Sequence, residues 1–192
     1  MVMLALASIA TLLALRNLWV NDVLLNAEAD QLRTQQKVEA ALPVAVADIV
    51  GSVNMTNLRH TAGNATQTHA FFPLSMAEYD QLRLRLDANA CSAGICTPKS
   101  LEANTTQASY WKAQTTTAMT VSAIDAPDGA STTWYWVEVF PQASSTDNFV
   151  YRITALANGV LPGSSTVLQA IWTRNAPTST TGQWQSWHVL HD

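Results

Sequence analysis

Charge is what this sequence has least of. Lys, Arg, Asp and Glu together make up 12% of its 192 residues, about half the usual fraction. Lysine occurs only at Lys37, Lys99 and Lys112. The net charge is −4, and there is no basic patch to neutralise phosphates, which argues against a nucleic-acid partner. Surface polarity therefore has to come from Thr, Ser, Asn and Gln, a composition suited to an extracytoplasmic or filament-forming protein.

Catalytic patterns are missing too. There is no Gly-x-Ser-x-Gly elbow, and the seven scattered glycines form no phosphate loop. The histidines are His60, His69, His188 and His191. The last two sit three apart near a strand end and should point to opposite faces, so they make a poor chelate. Asp125 and Asp128 flank Pro127 and Gly129 and read as a turn rather than a calcium loop. Three Asn-x-Thr triplets, at Asn54, Asn64 and Asn104, are expected by chance in so Thr-rich a chain. No enzyme, metal or cofactor is expected.

Cysteine is scarce as well. Cys91 and Cys96 enclose Ser-Ala-Gly-Ile. A zinc site would need further ligands nearby, and a redox motif would be tighter. The pair reads as a short structural disulfide of an oxidising compartment, with two reduced thiols as the alternative. Loop closure of so small a ring is worth about 2 kcal/mol.

What the chain does have is an uncharged beginning. Met1–Leu15 contains no charged residue, and helix-forming sequence continues past Arg16 to about Ala41. A membrane-spanning helix needs about 20 apolar residues. The run falls short unless Leu18, Trp19 and Val20 join it with Arg16 snorkelling. The expectation is an anchor whose first residues precede Met1; a short anchor and a buried core helix are the alternatives. Beyond Arg16, Leu18, Leu25 and Leu32 recur every seven residues, giving an amphipathic helix with a narrow apolar seam. That seam can pack on the chain's own sheet, on neighbouring subunits, or on both. Asp30 and Arg33 are spaced to pair on the helix. Pro43 should kink or end it.

Residues 51–70 read as polar loop. Ser75 and Glu78 form a capping box that should start a short helix through Tyr79, Leu82 and Leu86. One more helical turn is expected between Lys99 and Gln107. From Thr115 the period becomes two. Strands are expected at Thr115–Ile124, Thr133–Phe140, Val150–Ala157, Thr166–Thr173 and Trp184–Leu190, closely spaced and hence antiparallel. One face should be core: Tyr135, Val137, Val139, then Tyr151, Ile153, Ala155, then Leu168, Ala170, Trp172, then Trp187 and Val189. The other carries Trp134, Trp136 and Trp184. These tryptophans are either a partner surface or, the preferred reading, are covered by the polar middle segment. The fold class is α+β: a long N-terminal helix packed on a C-terminal antiparallel sheet. Residues 1–50 form anchor and stem, and residues 51–192 the globular domain.

An apolar helix, an amphipathic continuation and a C-terminal sheet with a small disulfide resemble a type IV pilin. The closer resemblance is to the PilX family of minor pilins. It rests on Leu32 with Val38-Glu39-Ala40-Ala41-Leu42. It rests more specifically on the hairpin Tyr151-Arg152-Ile153-Thr154-Ala155, the turn at Asn158-Gly159, and Val167-Leu168-Gln169-Ala170. No glutamate lies in Met1–Leu15, where major pilins carry one. The resemblance implies a subunit held at the bacterial inner membrane with its domain in the periplasm, and then built into an extracellular pilus. It implies packing on other minor pilins and the major pilin through the N-terminal helix. It also implies a tip complex that primes assembly, a large PilY-type tip adhesin as partner, and roles in adhesion and twitching motility. A pseudopilin of a type II secretion system and an anchored periplasmic ligand-binding module are the alternatives.

Overall fold

A computed structural model describes residues 2–51, 59, 69–86, 91–98, 103–121, 132–142 and 148–192, with side chains left out for 2–10 and 103–104. Most of the expected 51–70 loop, the turn at 125–129, and His60, Asn54 and Asn64 lie outside these residues.

Helix α1 runs Val2–Gly51, about 75 Å at 1.5 Å per residue. Leu, Ala, Gln, Glu and Lys sustain it, and no glycine occurs before Gly51. Pro43 lies inside α1 and does not end it; the helix runs on to Gly51. The proline side chain faces solvent, where its ring disturbs no core contact. At the C-terminus the Arg174 guanidinium donates to the Ile49 carbonyl, so a cation meets the negative end of the helix. Among the described residues no helix is long and apolar enough to cross a membrane. As the length of the apolar run implied, these residues do not span a bilayer by themselves: Arg16 ends the run, and Asp22 follows within two turns.

Helix α2, Met76–Arg85, begins at Ser75, whose hydroxyl accepts the Glu78 N–H at 3.3 Å. The Glu78 carboxylate reaches back to the Leu74 N–H at 2.6 Å, one residue before the cap. Tyr79, Leu82 and Leu86 are buried, as the helical spacing requires. The middle segment holds a 3₁₀ turn at Ala103–Thr106 and helix α3, Ala108–Ala113. A second 3₁₀ turn, Thr115–Thr117, replaces the start of the expected strand from Thr115.

The strands are β1 (Cys91–Ser92), β2 (Ile95–Cys96), β3 (Met119–Val121), β4 (Thr133–Pro141), β5 (Phe149–Asn158), β6 (Ser165–Arg174) and β7 (Gly182–Leu190). They form one sheet in the order β1-β2-β4-β5-β6-β7, with β3 also on β4. Pairing is antiparallel except between β2 and β4, which run parallel. The four long strands match the alternating sequence segments to within two residues. The disulfide hairpin was not foreseen as strands. Cys91 and Cys96 are bonded and stand opposite each other across β1 and β2. Ala93 and Gly94, both at positive φ, make the two-residue turn that such a hairpin needs. A Cβ on Gly94 would lie 2.8 Å from the Met119 backbone nitrogen, so glycine is required there.

The main core lies between α1 and the inner face of the sheet. Val38, Ala41, Leu42, Ala45 and Ile49 meet Tyr135, Val137, Val139, Tyr151, Ile153, Ala155, Leu168, Ala170 and Trp172. Phe71, Phe72, Tyr79 and Leu82 fill one side of this layer. A smaller core sits on the outer face, where Trp111 of α3 stacks on Trp136 with centroids 5.1 Å apart.

Candidate assembly surface

The surface of α1 divides at Asp30. Downstream, the buried positions are 30, 34, 38, 41, 42, 45 and 49, one stripe with helical spacing. Upstream, every described side chain from 11 to 28 is exposed. Leu18, Leu25 and Leu32 stand 66%, 63% and 60% exposed. Leu12, Leu13, Leu15, Trp19 and Leu24 are also exposed. The seam therefore faces away from the chain's own sheet, and among the described residues none covers it. Exposed apolar strips of this kind are candidates for contact surfaces.

The sheet has a second bare area. Val189 pairs with Leu168, Trp187 with Ala170 and Trp184 with Trp172. All three therefore share the inner face, yet Trp184, Trp187 and Val189 are 44%, 67% and 39% exposed. Trp187 and Val189 were expected in the core. They lie outside it because α1 crosses β4, β5 and β6, whereas β7 is the edge strand beyond it. Trp184 was expected on the outer face. The register shift at Ile171/Trp172 inserts one extra residue in β7 and brings it to the inner one.

The other two tryptophans are accounted for within the chain. Trp136 is fully buried and donates its indole N–H to the Thr117 hydroxyl at 3.2 Å. Trp134 is half-buried beside it. The middle segment covers this face, so Trp136 offers no contact surface.

Under that cover lies a buried ionic group. Arg152 donates to both Glu138 oxygens, at 2.6 and 2.7 Å, and to the Thr105 hydroxyl at 3.0 Å. Gln169 donates to Thr154 at 3.0 Å and to the Thr105 carbonyl at 3.3 Å. Burial pushes the Glu138 carboxyl up, opposed by Arg152. The bidentate pairing and the Thr105 contact satisfy the charges in place, so the group braces the sheet from behind. Among the described residues no cluster of His, Cys, Asp or Glu is arranged to hold a metal.

Asp30 was expected to pair with Arg33. Instead its carboxylate accepts the backbone N–H groups of Val160 and Leu161, at 2.9 and 3.1 Å. Arg33 stays exposed and acts on Asp30 only through its charge. The 30-34-38 spacing, read together with the Val38–Ile49 stripe, was the available signal that Asp30 faces the domain.

Residues 92–174 match the family model described as type IV pilus assembly protein PilX, C-term. The match runs from the disulfide hairpin to the end of β6 and spans less than half of the chain, leaving α1 and β7 outside. No curated protein and no solved structure matches the chain.

Proposed function

We propose that the chain, whose residues 92–174 match the PilX C-terminal family model, is a minor pilin of a type IV pilus that works by packing, as a priming subunit at the pilus tip. The apolar beginning of α1 holds the subunit at the inner membrane, with residues 51–192 in the periplasm. On assembly, Leu18, Leu25 and Leu32 pack on the stem helices of other minor pilins and of the major pilin, and the domain moves out with the filament. Trp184, together with Trp187, offers a second contact to a neighbouring subunit or to a large PilY-type adhesin. Adhesion and twitching motility then depend on this subunit through the pilus it helps to start.

The observation that carries this reading is the seam: three leucines one heptad apart, each about two-thirds exposed, on a helix whose other stripe is already sealed. A simple tether needs no such periodicity. Leu25→Asp should abolish incorporation into pili while leaving the domain folded by circular dichroism. Normal piliation in that variant would overturn the packing role.

A further inference from the structure

The junction where α1 first touches the domain is built differently from the rest of the interface. From Val38 to Ile49 the contact is mainly apolar, with Tyr135 donating to the Asp48 carboxylate at 2.9 Å and Arg174 to the Ile49 carbonyl. At its upper end it is marked by hydrogen bonds from buried polar side chains. Asp30, 3% exposed, takes the Val160 and Leu161 N–H groups of the β5–β6 turn. One helical turn later the Thr34 and Thr166 hydroxyls lie 2.7 Å apart. Thr34 spends its single proton on the Gln31 carbonyl at 2.8 Å, so Thr166 must be the donor.

The β5–β6 turn is shaped to receive the carboxylate. Gly159 donates to the Ser164 carbonyl at 2.8 Å and Ser164 donates to that of Leu161 at 3.0 Å, which holds the turn closed. A Cβ on Gly159 would sit 2.2 Å from the Asp30 carboxylate and 2.5 Å from the Ser164 hydroxyl. Only glycine permits the approach. Of the turn's own apolar side chains, Val160 is 69% and Leu161 40% exposed.

We propose that Asp30 and the 159–164 turn form a releasable clasp, which sets the direction in which the bare stem leaves the domain. Opening it exchanges hydrogen bonds to the turn for hydrogen bonds to water and uncovers little apolar surface, so it costs far less than undocking Val38–Ile49. The clasp is a property of the single chain. Its use in filament assembly rests on the packing role proposed above.

The charge on Asp30 keeps the clasp shut. The two backbone N–H groups hold its carboxyl below the ordinary carboxylate range; the Ser164 hydroxyl and Arg33 add to this, while burial opposes it. Arg33, on α1, is the one charged group that acts on it; the turn from Gly159 to Ser164 carries no ionisable side chain. A lowered carboxyl stabilises the closed form above its unfolded pKa. That stability is lost as pH falls through the folded value. The clasp therefore stays closed at neutral pH and opens in acid.

The test uses the full chain in detergent, with spin labels at the exposed positions Asp22→Cys and Gln183→Cys; the native cysteines are already bonded to each other. A narrow distance distribution is expected at neutral pH. It should broaden toward longer distances in Asp30→Ala and in Gly159→Ala, and in the labelled chain at acid pH. The circular dichroism of the domain should stay unchanged throughout. Distributions as narrow in both variants as in the parent would overturn the proposal. So would unfolding of the domain together with the loss of Asp30, since the contact would then be a strut rather than a clasp. Because the distances are read in the isolated chain, failure of the packing role would show only in piliation and not in this measurement.

Discussion

Downstream of Asp30, α1 buries Val38, Ala41, Leu42, Ala45 and Ile49 almost completely, while Leu12, Leu15, Leu18, Trp19 and Leu25 upstream stand more than 60% exposed. The bare half is the more apolar of the two. Side-chain type therefore does not separate the halves. Reach does: four long strands end within the span opposite the lower half, and the upper half projects past them. The sheet repeats the lesson. Trp172 is sealed under α1, but its cross-strand partner Trp184 on the same face is not. Among the described residues, the domain fills its own core and leaves two apolar areas exposed.

The largest test of this contrast is on the docked half. Leu42→Ala removes a side chain packed among Tyr135, Ile153 and their neighbours and should destabilise the domain by about 2–5 kcal/mol in urea denaturation. A loss near zero would mean that α1 is not part of the folded core. A second test uses pH. Burial pushes the Tyr151 phenol up to about 12, and Tyr135 and Tyr79 are raised for the same first reason. The phenols are neutral in the fold, so this stability is complete below their ordinary value near 10 and is lost as pH rises from there toward 12. Tyr151→Phe should flatten part of that alkaline slope in the denaturation midpoint. An unchanged slope would sever the link between α1 docking and the buried ring. A smaller effect belongs to the polar end: Thr34→Val should cost about 1 kcal/mol, detectable as a shift in the same midpoint. Smallest of all, Leu18→Ala and Leu25→Ala should change the stability of the isolated chain by no more than about 0.5 kcal/mol. A loss as large as that of Leu42→Ala would show that the upper stem packs on its own domain and would erase the contrast.

The strands of the sheet could be read in the sequence because alternation is a local property. Thr133–Phe140 and Val150–Ala157 needed only their own residues, and the Ser75–Glu78 cap needed only four. Trp187 and Val189 alternate just as well, yet the same pattern misled there. Alternation assigns a face but not whether anything lies over it. Trp184 was misplaced by one extra residue in β7, which shifts every side chain before it. Trp136 was placed on the correct face, but its cover comes from α3, which is separated from it in the sequence by residues 114–135. Asp30 was read through its neighbour Arg33. Its actual partners are some 130 residues away.

The sequence by itself determined the long α1, the heptad of Leu18, Leu25 and Leu32, the disulfide ring and the alternating strands, because each follows from spacing within one segment. The tertiary structure alone decided which apolar residues are sealed and which are bare, where the stem leaves the domain, and that a carboxylate and a glycine meet there. Those outcomes depend on where a straight helix crosses a sheet of finite width. That crossing is set by the sum of contacts between distant segments, and no single segment encodes it.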